Sequence, residues 1–113
     1  MVKLNDKTDI MINMLEKMLE PYSFTAEEFI EDNGSVTLSL NEIDLVENGK
    51  NKEEAINKMA AGILEYSEDY YNDFDFWYSA TNRRTHLPYV LKALMLNDVE
   101  KIGGLIICRL GET

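Results

Sequence analysis

The residues best suited to chemistry crowd into one stretch, "DFDFWYSATNRRTHLPYV", residues 73–90. It holds the chain's one histidine, His86, an arginine pair, Arg83 and Arg84, and the aromatic cluster Phe74, Phe76, Trp77 and Tyr78. A loop imidazole can act as acid or base near neutral pH, and it can equally serve as a hydrogen-bonding or capping group. Upstream, Glu65, Glu68, Asp69 and Asp73 fall at helical spacing, and hard oxygen ligands of this kind suit Mg²⁺ or Ca²⁺. Carboxylates along one exposed helix rarely converge on one ion, so a solvated face is the reading adopted, with no metal and no cofactor. No HExxH, Walker, GxGxxG or GxSxG pattern is present. The aromatic set Tyr66, Tyr70, Tyr71, Phe74, Phe76, Trp77 and Tyr78 could stack nucleobases only if positive charge were interleaved. Its neighbours are acidic, which favours core packing or a protein interface.

The whole composition points the same way. Twenty-one acidic residues against eleven basic ones give a net charge of −10 over 113 residues. Phosphate binding needs clustered Lys and Arg, so non-specific binding to nucleic acid or anionic membranes is disfavoured, and a basic partner is compatible. Cys108 is the single cysteine, which excludes an internal disulfide and a thiolate metal cluster. It lies in "LIIC" and reads as a small buried hydrophobe in a reducing cytoplasm. No apolar stretch is long enough to span a bilayer, and "MVKLNDKTDI" lacks the apolar core of a signal peptide.

The elements that must position these residues follow from periodicity. Met11, Met14, Leu15, Met18 and Leu19 predict a helix from about Lys7, capped by Asp6 and ended by Pro21, with its methionines in core packing. Residues 1–21 are a candidate dimerisation or linker element. Asn33-Gly34 predicts a type I′ hairpin. Val36, Leu38 and Leu40 alternate with polar residues as a half-buried return strand, and "EIDLV" is a candidate third strand or edge. A long helix is expected from Lys52 to Phe76, capped by Asn51 with Glu54 at capping-box spacing. Its stripe is Ile56, Met59, Ala60, Ile63, Tyr70, Phe74 and Trp77. Its acidic C-terminal half opposes the helix dipole, and Arg83 and Arg84 are placed to neutralise it. Two short helices are expected to close the chain, one opened by Pro88 and one beginning after Asn97 and continuing through Ile106. The predicted fold is a single α+β domain over residues 1–113. A small antiparallel sheet of about three strands is packed by the long helix, with an N-terminal helix and two short C-terminal helices.

The stretch "SVTLSLNEIDLVENGKNKEEAINKMAAGILEYSEDYY" resembles the HicB-like antitoxin module. That pattern is a strand with a short apolar segment, a Gly-containing turn, an "EEA" helix start and a long amphipathic helix. Leu40, Ile43, Leu45, Gly49, Glu53, Glu54, Ala55 and Leu64 fill those places. The tail "YYNDFDFWYSATNRRTHLPYVLKAL" is similar to a Gram-positive antitoxin-like group often found with a Phd/YefM-type N-terminal segment. The resemblance covers roughly Tyr22 to Cys108. It implies a non-enzymatic, cytoplasmic protein that neutralises a basic RNase toxin of the RelE or HicA kind, and a dimer. DNA binding by this chain alone is not carried over, because the N-terminal stretch is short and acidic and no helix-turn-helix follows. Asp44, Trp77, Tyr78, Arg83, Arg84 and His86 are the candidate partner-binding residues. The alternative is a structural oligomerisation domain without a toxin partner.

Overall fold

A computed structural model describes the backbone of residues 4–111 and the side chains of residues 6–111. The readings of Met1 to Lys3 and of the last two residues lie outside this range. The chain is α+β. Ten elements follow one another: α1 (Leu4–Leu19), β1 (Phe24–Ile30), β2 (Val36–Leu40), β3 (Leu45–Gly49), α2 (Lys52–Asn72), α3 (Phe74–Ser79), α4 (Thr81–Arg84), α5 (Leu87–Leu96), α6 (Val99–Leu105) and β4 (Ile106–Leu110).

The sheet has four strands in the order β3-β2-β1-β4, with antiparallel β1–β2 and β2–β3 pairs and a parallel β1–β4 pair. It is therefore mixed, not a three-stranded antiparallel sheet. The fourth strand takes residues predicted to continue the last helix. Gly103 and Gly104 weaken the helix there, and the β-branched Ile106 and Ile107 favour an extended chain. Period-two alternation places Phe24, Ala26, Val36, Leu38 and Leu40 on one face, all buried. The facing stripe of α2, Ala55, Met59, Ala60 and Ile63, is fully buried against them, with Ala93 of α5 and Ile102 of α6 completing the core. Gly49, at the end of β3, allows the first turn of α2 to approach closely: a Cβ there would lie 2.4 Å from the Ala55 backbone nitrogen.

Several local signals resolve differently from the pattern. The Asn33-Gly34 turn is not type I′, because only Gly34 has positive φ (85°). Gly34 N–H donates to Glu31 O (2.9 Å) and Glu31 N–H to Ser35 O (2.9 Å), a longer hairpin loop with glycine in the left-handed position. Asn51 does cap α2, its Oδ1 accepting from Glu54 N–H at 2.9 Å. The α6 cap is Asp98, which accepts from Lys101 N–H, while Asn97 is the left-handed C-cap of α5 (φ 45°). Asp6 lies inside the first turn of α1 and does not cap it.

α1 departs most. Its methionines are not core: Met11, Met14 and Met18 are 62, 58 and 65% exposed, and Ile10 and Ile12 are also in solvent. Among its described side chains only Leu19, at its C-terminal end, is buried. There Lys92 of α5 donates to Leu19 O and Tyr22 O, supplying a cation to the carbonyl end of the helix. The described residues extend 62 Å along one axis and 28 and 21 Å along the others, as a projecting helix requires.

Candidate functional site

α2 stops at Asn72, short of the predicted Phe76, and the break builds the site. Asp73 leaves helical geometry (φ −134°, ψ 55°), and α3 restarts at Phe74. In a continuous helix Trp77 would stand ~16 Å along the axis from Tyr66. Instead Trp77 folds back, edge-on to Tyr66 (centroids 5.7 Å) and stacked on Tyr70 (6.2 Å). Phe74 stacks on Tyr78 at 5.1 Å and meets Tyr70 edge-on. Such offset and edge contacts add to simple area burial.

The arginine pair follows the aromatics. The Arg83 guanidinium lies 5.9 Å from the Trp77 ring centroid and that of Arg84 5.2 Å from Tyr78, distances suited to cation–π attraction. Arg84 Nε also donates to Tyr78 O (3.1 Å), serving the carbonyl end of α3. The expectation that the pair neutralises the acidic end of α2 is corrected: the three ion pairs among the described residues are Lys52–Glu28, Lys58–Glu54 and His86–Asp44. Glu65, Glu68 and Asp69 are exposed along α2, and Asp73 is exposed just beyond its end. Among the described residues no group of three or more His, Cys, Asp or Glu side chains could hold a metal ion.

His86 is buried, at 3% exposure. Its Nδ1 lies 2.7 Å from the Tyr66 hydroxyl, and its Nε2 lies 3.8 Å from Asp44 Oδ2. The second distance is too long for a hydrogen bond. Burial pushes the imidazole below its ordinary pKa; nearby Arg83 pushes the same way and Asp44 opposes both. The neutral ring then accepts the Tyr66 proton at Nδ1 and points Nε2–H toward the carboxylate. Burial raises the Tyr66 phenol, with Arg83 acting in the opposite direction. Tyr70 donates its hydroxyl proton to Arg83 O (2.9 Å), and buried Ser67 donates to Ile63 O. Asp44 sits in the left-handed region (φ 56°), which Asp tolerates, at the end of a turn anchored by fully buried Ile43.

The six candidate residues thus belong to one neighbourhood. Asp44, His86, Arg83 and Trp77 meet around Tyr66 and Tyr70, and Arg84 rides on Tyr78. The organising role of Tyr66 and Tyr70 was not readable from the aromatic run, although their seven- and eleven-residue offsets from Trp77 hinted at it. His86 is a support within this corner, inaccessible to a partner. Tyr71, Phe74, Phe76 and Tyr78 are 70, 41, 63 and 37% exposed, with Asp69, Asp73 and Asp75 exposed among them. The corner therefore presents aromatic faces rimmed by unpaired carboxylates.

An α+β layer with an exposed aromatic, acidic corner suits a protein-binding module. Residues 1–108 match the PHD-like family, described as antitoxin of toxin–antitoxin, RelE/RelB, TA system. The fold superposes with a TM-score of 0.81 on a crystal structure from Syntrophomonas wolfei subsp. wolfei, described as the antitoxin part of a proposed toxin/antitoxin system. That protein is 34% identical, and the alignment covers 88% of this chain and 72% of that one. No curated protein sequence matches significantly. The chain belongs to the PHD-like antitoxin family of toxin–antitoxin systems. Among the described residues no helix is long and apolar enough to cross a membrane.

Proposed function

We propose that the chain is a non-enzymatic, cytoplasmic antitoxin that binds and neutralises a basic RNase toxin of the RelE or HicA kind. The corner formed by the end of α2, α3 and α4 is its docking surface. The observation that carries this reading is the set of exposed aromatics, Tyr71, Phe76 and Tyr78, interleaved with carboxylates that form no ion pair. Lys and Arg side chains of a partner gain both cation–π and charge-assisted contacts there. The net charge of −10 supports faster encounter with a basic protein and supports a chain that does not bind DNA by itself. Among the candidate residues, exposed Tyr78, Arg84 and Asp44 are assigned direct contact, and Trp77, Arg83 and His86 hold the surface in shape.

A HicB-like assignment is supported by the order β2, a turn holding Ile43, Gly49, the Glu53–Ala55 helix start and long α2. Co-expression with the small basic protein encoded beside this chain tests the proposal. The expected result is rescue of growth and co-purification, both weakened by Phe76→Lys with Tyr78→Lys. Growth arrest unrelieved by the wild-type chain, with no complex formed, overturns it.

A second reading, homo-oligomerisation, is favoured by the unpaired edge of β4 and the exposed apolar side of α1.

A further inference from the structure

β4 pairs with β1 on one side and forms the edge of the sheet on the other. Folded sheets blunt such edges with charges, prolines or bulges, because a free ladder of N–H and C=O groups recruits another strand. β4, "IICRL", has one charge and no proline, and its register with β1 runs unbroken from Phe24↔Ile106 to Glu28↔Leu110. The opposite edge, β3, carries Glu47 and Asn48. Apolar side chains stand in solvent along the β4 edge, with Ile107 47% and Leu110 78% exposed.

We propose that β4 is a homodimerisation edge, on which two copies pair antiparallel about a two-fold axis at Cys108. The occupant is a second copy because the strand is complementary to itself in one register. Opposed residues in an antiparallel pair point to the same face. A two-fold at a residue position therefore keeps Ile106, Cys108 and Leu110 of both copies on the helix-covered face, whereas an axis between residues would oppose residues of opposite faces and gives no antiparallel ladder. An axis at Arg109 sets the two guanidinium groups opposite each other, which is destabilising. An axis at Ile107 leaves Arg109 without a strand partner, because Leu105 is still helical. The axis at Cys108 uses all five residues: Ile106 faces Leu110, Ile107 faces Arg109, and the two cysteines face each other. Arg109 also stands in register with Glu27 of β1, on the open face of the sheet, so its cross-strand neighbour there is of opposite sign. The two four-stranded sheets then form one continuous sheet of eight.

This interface is separate from the aromatic corner, so the inference stands or falls independently of toxin binding. It is tested on the full chain by sedimentation and by disulfide cross-linking with copper–phenanthroline. Directly opposed cross-strand cysteines come within disulfide reach. Burial raises the Cys108 thiol pKa, so oxidation is run at mildly alkaline pH, where the reactive thiolate is populated. The expected result is a wild-type dimer at micromolar concentration that cross-links through Cys108. In a Cys108→Ser background, Ile107→Cys and Arg109→Cys chains should cross-link when mixed, and each far less alone. Ile107→Lys with Leu110→Lys should give a folded monomer by circular dichroism and sedimentation. Met11→Lys with Met14→Lys, on α1, should leave the dimer intact. A wild-type monomer overturns the proposal. So does a dimer that ignores the β4 substitutions, dissolves with the α1 substitutions, or cross-links in another register.

Discussion

The two halves of α2 are held by different physics. The N-terminal half lays Ala55, Met59, Ala60 and Ile63, all fully buried, against the sheet, with no polar side chain among them. The C-terminal half buries Ser67 and Tyr70, half-buries Tyr66, and satisfies each with a hydrogen bond to a carbonyl or an imidazole. Its last turn carries no basic residue, against the preference of the helix dipole. The difference separates a scaffold, fixed by apolar volume, from a surface fixed by directional contacts. Directional contacts can be lost one at a time, so the second half can be loosened without unfolding the first.

The largest expected effect is in the first half. Ile63→Ala removes buried volume at the centre of the helix–sheet contact and should cost about 2–5 kcal/mol, read as a fall in the urea midpoint. A loss well below that range would mean that the helix–sheet layer is not the dominant core.

In the second half, Tyr66→Phe should cost about 1–3 kcal/mol, because it strips the buried His86 Nδ1 of its partner. Tyr70→Phe should cost about 1 kcal/mol, the ordinary net worth of one hydrogen bond, because the Arg83 carbonyl keeps His86 N–H as a donor (3.0 Å). Both variants should bind a toxin partner more weakly while leaving the denaturant slope unchanged. Equal costs would erase the special place given to His86.

How much of this was legible in the sequence also differs between the halves. Helical and strand periodicities report burial against a flat neighbour, so Val36, Leu38, Leu40, Met59, Ala60 and Ile63 were readable directly, whereas buried Ala55 lay outside the expected stripe and Ile56 within it is only partly buried. The break at Asp73 was not. No proline or glycine marks it, and the same aromatic spacing serves an uninterrupted helix. The contacts that favour the break are long-range, Trp77 onto Tyr66 and Tyr70. β4 was hidden for a related reason: a short apolar run after a helix has no period of its own, and only pairing with β1 decides it. The methionines of α1 show the converse failure. An apolar stripe predicts a surface to be covered but not that this chain covers it. The loop around His86 read correctly as a corner between helices, yet the chemistry of the corner needed Asp44 from 42 positions away in the sequence.

The pH response should sharpen the same contrast. The folded-state pKa of His86 is depressed, chiefly by burial, so below the ordinary value the unfolded chain binds a proton that the folded chain does not. Its contribution is fully present above the unfolded value of about 6.5 and is lost as pH falls from there through the folded value. Urea midpoints of the wild type should therefore fall over that window more steeply than those of His86→Phe. Parallel curves would show that the His86 ring binds its proton equally well folded and unfolded, and a shallower wild-type fall would show that it is paired as a cation. Asp44→Asn should steepen the wild-type fall, because the carboxylate is the one group found to support the protonated ring.

The smallest expected effect is a control at the start of α2. Lys58 pairs with Glu54 at 3.3 Å and donates to Asn48 O at 3.1 Å, with both partners largely in water. Exposed pairs at this spacing contribute only about 0.3–0.5 kcal/mol, since solvent screens the charges and two flexible side chains must be ordered. Lys58→Ala should therefore barely move the urea midpoint, and high salt should abolish even that difference. The result discriminates because the N-terminal half of α2 takes part in two of the three ion pairs among the described residues, Lys52–Glu28 and Lys58–Glu54, while its acidic end holds none. If charge pairing were what anchors α2, removing Lys58 would loosen its contact with β3 and lower stability by an amount comparable to Ile63→Ala. A small effect instead leaves apolar volume as the anchor. It also leaves the unpaired carboxylates beyond Glu65 free of any structural duty that would compete with binding a basic partner.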